Sequence, residues 1–217
     1  MAHGTRDSID AGGQGLTAAA GRPAGYDPFV APPTLYTVGH STRSLDDFLA
    51  LLGRHGVRAV ADVRRFPGSR KYPHFNDDAL AHALPAAGLR YAPVPLLGGR
   101  RGTSAASVNT GWRNAGFRGY ADYMQTPAFE QGLEELLTLA AAAPTAMMCA
   151  EAVPWRCHRS LVADAALVRG WLVLDVVGEA APRPHALTPF ARVEGTRITY
   201  PAPAAGRGGP GLFGTAE

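Results

Sequence analysis

Cys149 and Cys157 are the only cysteines of the chain, and they share one segment, MMCAEAVPWRCHRSL. Glu151, Arg156, His158 and Arg159 lie between or beside them. A thiol flanked by cations loses its proton more easily, and the thiolate is the form that attacks electrophiles. Apolar spacing predicts a helix over Trp155–Val168, which puts Cys157 in the first turns, where backbone amides lower a thiol further. Cys157 is therefore the expected activated thiol. Cys149 ends an apolar run and is either a second reactive sulfur or a small buried hydrophobe. Cys149, Cys157 and His158, with His40 or His185, also offer soft ligands suited to zinc. The C-x7-C-H spacing matches no standard zinc knuckle, however. Adjacent helical residues point to different sides, so at most one of Cys157 and His158 joins Cys149, and the sequence assigns no metal. An anion-cradling loop of the cysteine phosphatase kind fits poorly: Cys149 to Arg156 is one residue too long, and the loop has no glycine.

Other polar groups gather elsewhere. His40 beside Ser41 reads as a general base next to a hydroxyl, or Ser41 as a helix cap. Asp62 before Arg64 either accepts a proton or orients that guanidinium in an ion pair. Residues 64–76 and 95–118 carry several cations and no acid, whereas Asp46, Asp47, Asp77, Asp78, Glu130, Glu134 and Glu135 fall on expected helices. Ser41, Arg64, Ser69, Arg156 and Arg159, with Tyr120 and His185, are the candidate anion contacts. Cys149, Glu151, Cys157, His158, Asp62 and His40 are the candidate catalytic groups.

These groups need a scaffold, and the chain alternates in a way that supplies one. Short apolar strands are expected at Thr34–Gly39, Val57–Val63, Leu89–Val94, Thr145–Cys149 and Trp171–Val177. Helices are expected from Ser44 to about Arg54, over Asp77–Ala87 after an Asn76 cap, over about 120–143 with a break at Pro127, and over Trp155–Val168. The segment from Pro95 to about Gly116 reads as a long loop. This order predicts a single α/β domain with a mostly parallel sheet and helices on both faces. Ligands of such sheets bind beyond the carboxyl ends of the strands, which is where the polar groups fall.

Composition narrows the function. Hydrophobic residues at 46% exclude wholesale disorder, and a formal charge of +3 is far from a histone-like coat. All basic residues but Lys71 are arginine, a bias shared with the Ala and Gly load, so it says little about function. Residues 1–33 and 201–217 read as a flexible Gly/Ala/Pro-rich leader and tail. Two cysteines make no disulfide scaffold. The N-terminus has no apolar signal region, and no apolar run approaches the roughly 18 residues that span a membrane. The expected compartment is the cytosol, with no membrane partner.

TVGHST, ADVRRFPGSRKYPHF, PLLGGRR, GFRGYADYM, MCAEAVPWRCHRSLVA and LTPFARVEGTRITYP together resemble the bacterial and archaeal family called domain of unknown function 488. The family pattern carries over onto Gly39, His40, Ser41, Asp62, Arg64, Pro67, Ser69, Phe75, Gly98, Tyr120, Cys149, Glu151, Cys157, His158, Arg159 and His185. It implies no named reaction or cofactor. The expected function is an enzyme acting on a small anionic substrate, phosphorylated or nucleotide-like, at an Arg-lined site. The alternatives are a nucleic-acid-associated protein and a ligand sensor without turnover.

Overall fold

Strand β1 (Thr34–Gly39) is flanked on both sides by parallel neighbours, an interior position that its β-branched Thr34, Thr37 and Val38 suit. A computed structural model describes residues 31–203 and places β1 centrally in a six-stranded sheet of order β3-β2-β4-β1-β5-β6. The strands are β2 (Ala59–Asp62), β3 (Arg90–Pro93), β4 (Thr145–Cys149), β5 (Leu172–Val176) and a short antiparallel β6 (Arg183–Pro184). The helices are α1 (Leu45–Arg54), α2 (Asp77–Ala86), α3 (Ala115–Tyr123), α4 (Pro127–Ala142) and α5 (Arg159–Leu167). The single α/β domain expected from the sequence is present.

Side chains alternate across the sheet and divide the core. Val38, Val60, Ala146 and Met148 face Phe48, Leu52, Leu80 and Leu84 of α1 and α2. Leu35, Ala61, Met147 and Cys149 face α3, α4 and α5. Cys149 therefore ends its strand on the face that α5 covers. The helix starts follow capping chemistry. Ser44 Oγ accepts the Asp47 amide at 3.1 Å, and Thr126 Oγ1 accepts the Phe129 amide at 3.3 Å with Pro127 at the first helical position. That cap marks the break expected at Pro127, so the stretch forms two helices, α3 and α4. Asn76 stands at the start of α2 without capping it. Its Oδ1 accepts the Ser69 amide at 2.6 Å instead and pins the loop after β2.

Three strands were not expected from the sequence. They are β6 and the hairpin of β7 (Arg192–Glu194) with β8 (Arg197–Thr199), closed by a two-residue turn in which Gly195 has φ 61°. Of the expected leader and tail, only residues 31–33 and 201–203 are described, and they carry no helix or strand. No helix among the described residues is long and apolar enough to cross a membrane.

His185 follows β6 and meets two carboxylates rather than an anion site. Its Nδ1 is 3.0 Å from Asp175 and its Nε2 is 3.0 Å from Asp164. A carboxylate only accepts, so both ring nitrogens donate and the ring is an imidazolium. Burial opposes the charge, but the two carboxylates prevail and raise its pKa to about 9. Asp164, fully buried, also accepts from Thr188 and from the Tyr200 hydroxyl, so it fastens the C-terminal segment to α5. The folded pKa lies above the usual 6.5, so this stabilisation is complete below about pH 6.5 and disappears as pH rises through about 9. The expected loss is on the order of 3 kcal/mol. Urea unfolding at pH 6 and pH 9.5 should show it in the natural chain and show much less in His185→Gln. Equal pH dependence in the two proteins would place the ion pair elsewhere.

Candidate active site

In this strand order, β1 and β4 are neighbours whose outgoing connections leave in opposite directions, toward α1 and toward α5. A crevice opens at such a reversal. Gly39 pairs with Cys149 across it. A Cβ on Gly39 would lie 1.7 Å from the Glu151 carbonyl oxygen, so only glycine lets the chain after β4 fold across the end of β1. His40 and Ser41 extend the pairing through amides donating to the carbonyls of Cys149 and Ala150, both at 2.9 Å. Ser41 takes φ 53° to do so.

The segment after β4 is not the expected helix. Pro154–Arg156 forms a 3-10 turn, Cys157 is extended with φ −133° and ψ 144°, and α5 begins only at Arg159. Cys157 is thus outside the helix, just before its start, and receives one helical amide, that of Arg159, at 3.5 Å. The extended residue also changes which side chains meet. The ligand atoms of Cys149, Cys157 and His158 all lie within 4.8 Å of one another. The expectation that at most one of Cys157 and His158 joins Cys149 is therefore overturned. His158 Nδ1 is 3.6 Å from Cys157 Sγ, and Nε2 is 3.3 Å from the Val63 carbonyl, to which it must donate.

Sulfur electrostatics follow from these contacts. The neighbouring Cys157 thiol first, and then the Arg159 guanidinium, pull the Cys149 pKa down against burial. The Cys149 sulfur, with burial, pushes Cys157 up. The directions are opposite to those expected from sequence, with Cys149 pulled down and Cys157 pushed up. Burial holds His158 below the usual imidazole range, so its ring is neutral.

Arg159 is fully buried and reaches no open anion site. Its Nη1 donates to the Glu151 carbonyl at 3.0 Å, Nη2 to Ala152 at 3.5 Å, and Nε to Thr37 Oγ1 at 3.3 Å. It holds the loop between the cysteines. Asp62 and Arg64 also spend themselves internally. Asp62 accepts Arg64 Nε at 2.8 Å, Arg64 Nη2 at 2.6 Å and the Tyr91 hydroxyl at 2.8 Å. Burial would lower the Arg64 pKa, but Asp62 raises it. His40 donates from Nδ1 to the Ser41 carbonyl, leaving Nε2 to accept from Arg64 Nη1 at 3.4 Å. Burial first, then Arg64, lowers His40 to about 4, and its ring stacks on Phe75 at 4.2 Å. It is a neutral prop for Arg64. Ser69 Oγ accepts the Tyr72 amide, and the Tyr120 hydroxyl donates to the Leu97 carbonyl while its ring packs 4.9 Å from that of His158. Neither His40 nor His185 reaches the sulfurs as a further metal ligand.

What remains faces a cleft of about 390 Å³. Cys149, Cys157, His158, Glu151, Arg156 and Arg64 line it, joined by Arg65, Phe66, Gly99, Arg100, Asn114 and Phe117. Arg65, Arg100 and Phe66 were not singled out as site residues, although the basic runs contain both arginines and Phe66 is 63% exposed beside them. Among the described residues, the Arg100 and Arg156 side chains are exposed and make no hydrogen bond or ion pair, whereas Arg101 and Arg118 cap backbone carbonyls. A larger groove of about 660 Å³ between α4 and the β7–β8 hairpin contains no cysteine or histidine.

The model of the family described as domain of unknown function DUF488 matches residues 44–166, which span α1 to α5 and both cysteines. The chain belongs to that family. No curated protein and no solved structure matches. Within this DUF488 domain the cleft is built from the loops that follow β2 and β3, the end of β4 with the loop after it, and the start of α3, and the match ends in α5, before His185 and the hairpin.

Arg159→Met keeps the volume but leaves three acceptors without their donor. It should cost about 3 kcal/mol or more, against less than about 0.5 for Arg156→Met on the surface. Chemical denaturation of the two variants measures the contrast. Equal losses would show that the buried guanidinium does not hold the loop.

Proposed function

We propose that the cleft is the active site of an enzyme acting on a small anionic substrate, phosphorylated or nucleotide-like. One observation supports this most directly. The exposed guanidinium groups of Arg100 and Arg156 share a single cleft with the cluster of Cys149, Cys157 and His158. Guanidinium groups bind phosphate and carboxylate oxygens through paired, charge-assisted hydrogen bonds. Arg100 and Arg156 hold the anion, and Arg64 Nη1 adds to the field from the wall. The exposed Glu151 carboxylate is the proton-transfer group, and its backbone fixes the floor of the site through Arg159. Phe66 offers an apolar ring for a planar part of the substrate. The sulfur–imidazole cluster supplies the reacting centre.

Calorimetric titration with inorganic phosphate and a nucleoside monophosphate tests the reading. Replacing Arg100 and Arg156 together by Ala should weaken binding at least about tenfold, or 1.4 kcal/mol, with the unfolding midpoint unchanged. The pair Arg70→Ala with Arg113→Ala, outside the cleft, should leave affinity as it was. Unchanged affinity in the first variant would overturn the anion site. Preferential binding of a single-stranded oligonucleotide with steep salt dependence would move the function to nucleic acid.

A further inference from the structure

We propose that Cys149 Sγ, Cys157 Sγ and His158 Nδ1 are three ligands of a tetrahedral zinc site whose fourth position opens into the cleft. The distances fit. Zinc holds thiolate sulfur at about 2.3 Å and imidazole nitrogen at about 2.0–2.1 Å, so two such ligands at the tetrahedral angle stand roughly 3.6 Å apart. Cys157 Sγ and His158 Nδ1 are 3.6 Å apart, and Cys149 Sγ lies within 4.8 Å of both. A tetrahedral pair of thiolates needs about 3.8 Å, inside that bound.

Orientation is the second support. His158 donates Nε2–H to the Val63 carbonyl at 3.3 Å, which fixes the tautomer and leaves the Nδ1 lone pair toward the sulfurs. A ligating histidine is ordinarily held this way. Gly99 passes so close that a Cβ there would stand 2.8 Å from Nδ1, so a side chain at this position would cover the donor atom. Cys157 Sγ also receives the Arg159 amide at 3.5 Å. Such an amide stabilises thiolate charge.

Chemistry selects the ion. Two sulfurs and one imidazole suit zinc, and two thiolates with a neutral ring cancel a 2+ charge in a buried site. Three protein ligands rather than four is the pattern of zinc sites that keep a position for water or substrate. The ligands also line the cleft, so that position meets the arginines. Zinc binding does not depend on the anion reading above, although it would supply that reading with its reacting centre.

The test uses the full chain, kept reduced, with Zn²⁺ and Co²⁺ as probes. Dialysis against zinc and then buffer should leave one equivalent by elemental analysis. Cys149→Ser, Cys157→Ser and His158→Ala should each weaken retention against a chelator by at least about 100-fold. Gly99→Ala should weaken it too, and Arg156→Ala should not. Cobalt should give an intense thiolate-to-metal charge-transfer band, which tests the natural chain even where a ligand variant fails to fold. No zinc retained, no such band, or zinc retained by the folded ligand variants would overturn the site. Zinc held at the cluster while phosphate affinity ignores Arg100 and Arg156 would sink the anion reading and leave the metal site standing.

Discussion

A guanidinium buried without a carboxylate against it is the constraint on which the site depends. Arg159 is removed from water at the first residue of α5, where its solvation must be replaced by fixed dipoles. The chain between Cys149 and Cys157 provides them by turning the Glu151 and Ala152 carbonyls inward, and Thr37 provides a hydroxyl. Thr37 in turn donates to Asp175 at 2.7 Å, and Asp175 pairs with His185. The positive charge at the floor of the cleft is thereby tied through one hydroxyl to the carboxylates that secure the C-terminal segment. A loop held from below in this way can present sulfur and imidazole from above without their own contacts having to define its shape.

The sheet fixes where that loop can be. β1 and β4 diverge to opposite faces, and Gly39 removes the Cβ that would block the crossing chain. Gly98 repeats the device on the other wall, where a Cβ would come within 2.5–2.7 Å of Arg65. Side chains on the first wall are spent on support. Asp62 and Arg64 satisfy each other, and His40, held by Ser41 and stacked on Phe75, completes them. Asp62 and His40 thereby buttress Arg64, whose guanidinium reaches the cleft wall already paired.

The parallel strands, α1, α2 and the break at Pro127 could be read from the sequence because local signals agreed with the fold. Apolar runs, a serine cap and a proline after a threonine all point one way. β6 to β8 are two or three residues long and carry little periodicity, and the Glu-Gly-Thr turn was the one signal available for the hairpin. The site was legible as a set of residues and not as a geometry. Its main error came from extending α5 backward through Cys157. Pro154 opens a 3-10 turn instead, and one extended residue before an αR His158 brings two neighbours to the same side. Arg159, Tyr120 and His185 were placed on the rim because charge and polarity suggest solvent. The sequence does not reveal that buried carbonyls and carboxylates wait for them.

Charge balance joins the two proposals. Zinc, two thiolates and a neutral imidazole sum to zero, so the centre would not cancel the field of the arginines around it. Asp62 neutralises Arg64 within the wall, and Glu151 is the single carboxylate among the residues lining the cleft. Arg65, Arg100 and Arg156 then leave the mouth positive, with Arg159 beneath. A free thiolate at Cys149 would spend part of that field on itself. A neutral metal centre would leave that field to the substrate, and would place its open coordination position where an anion drawn in by the arginines would arrive.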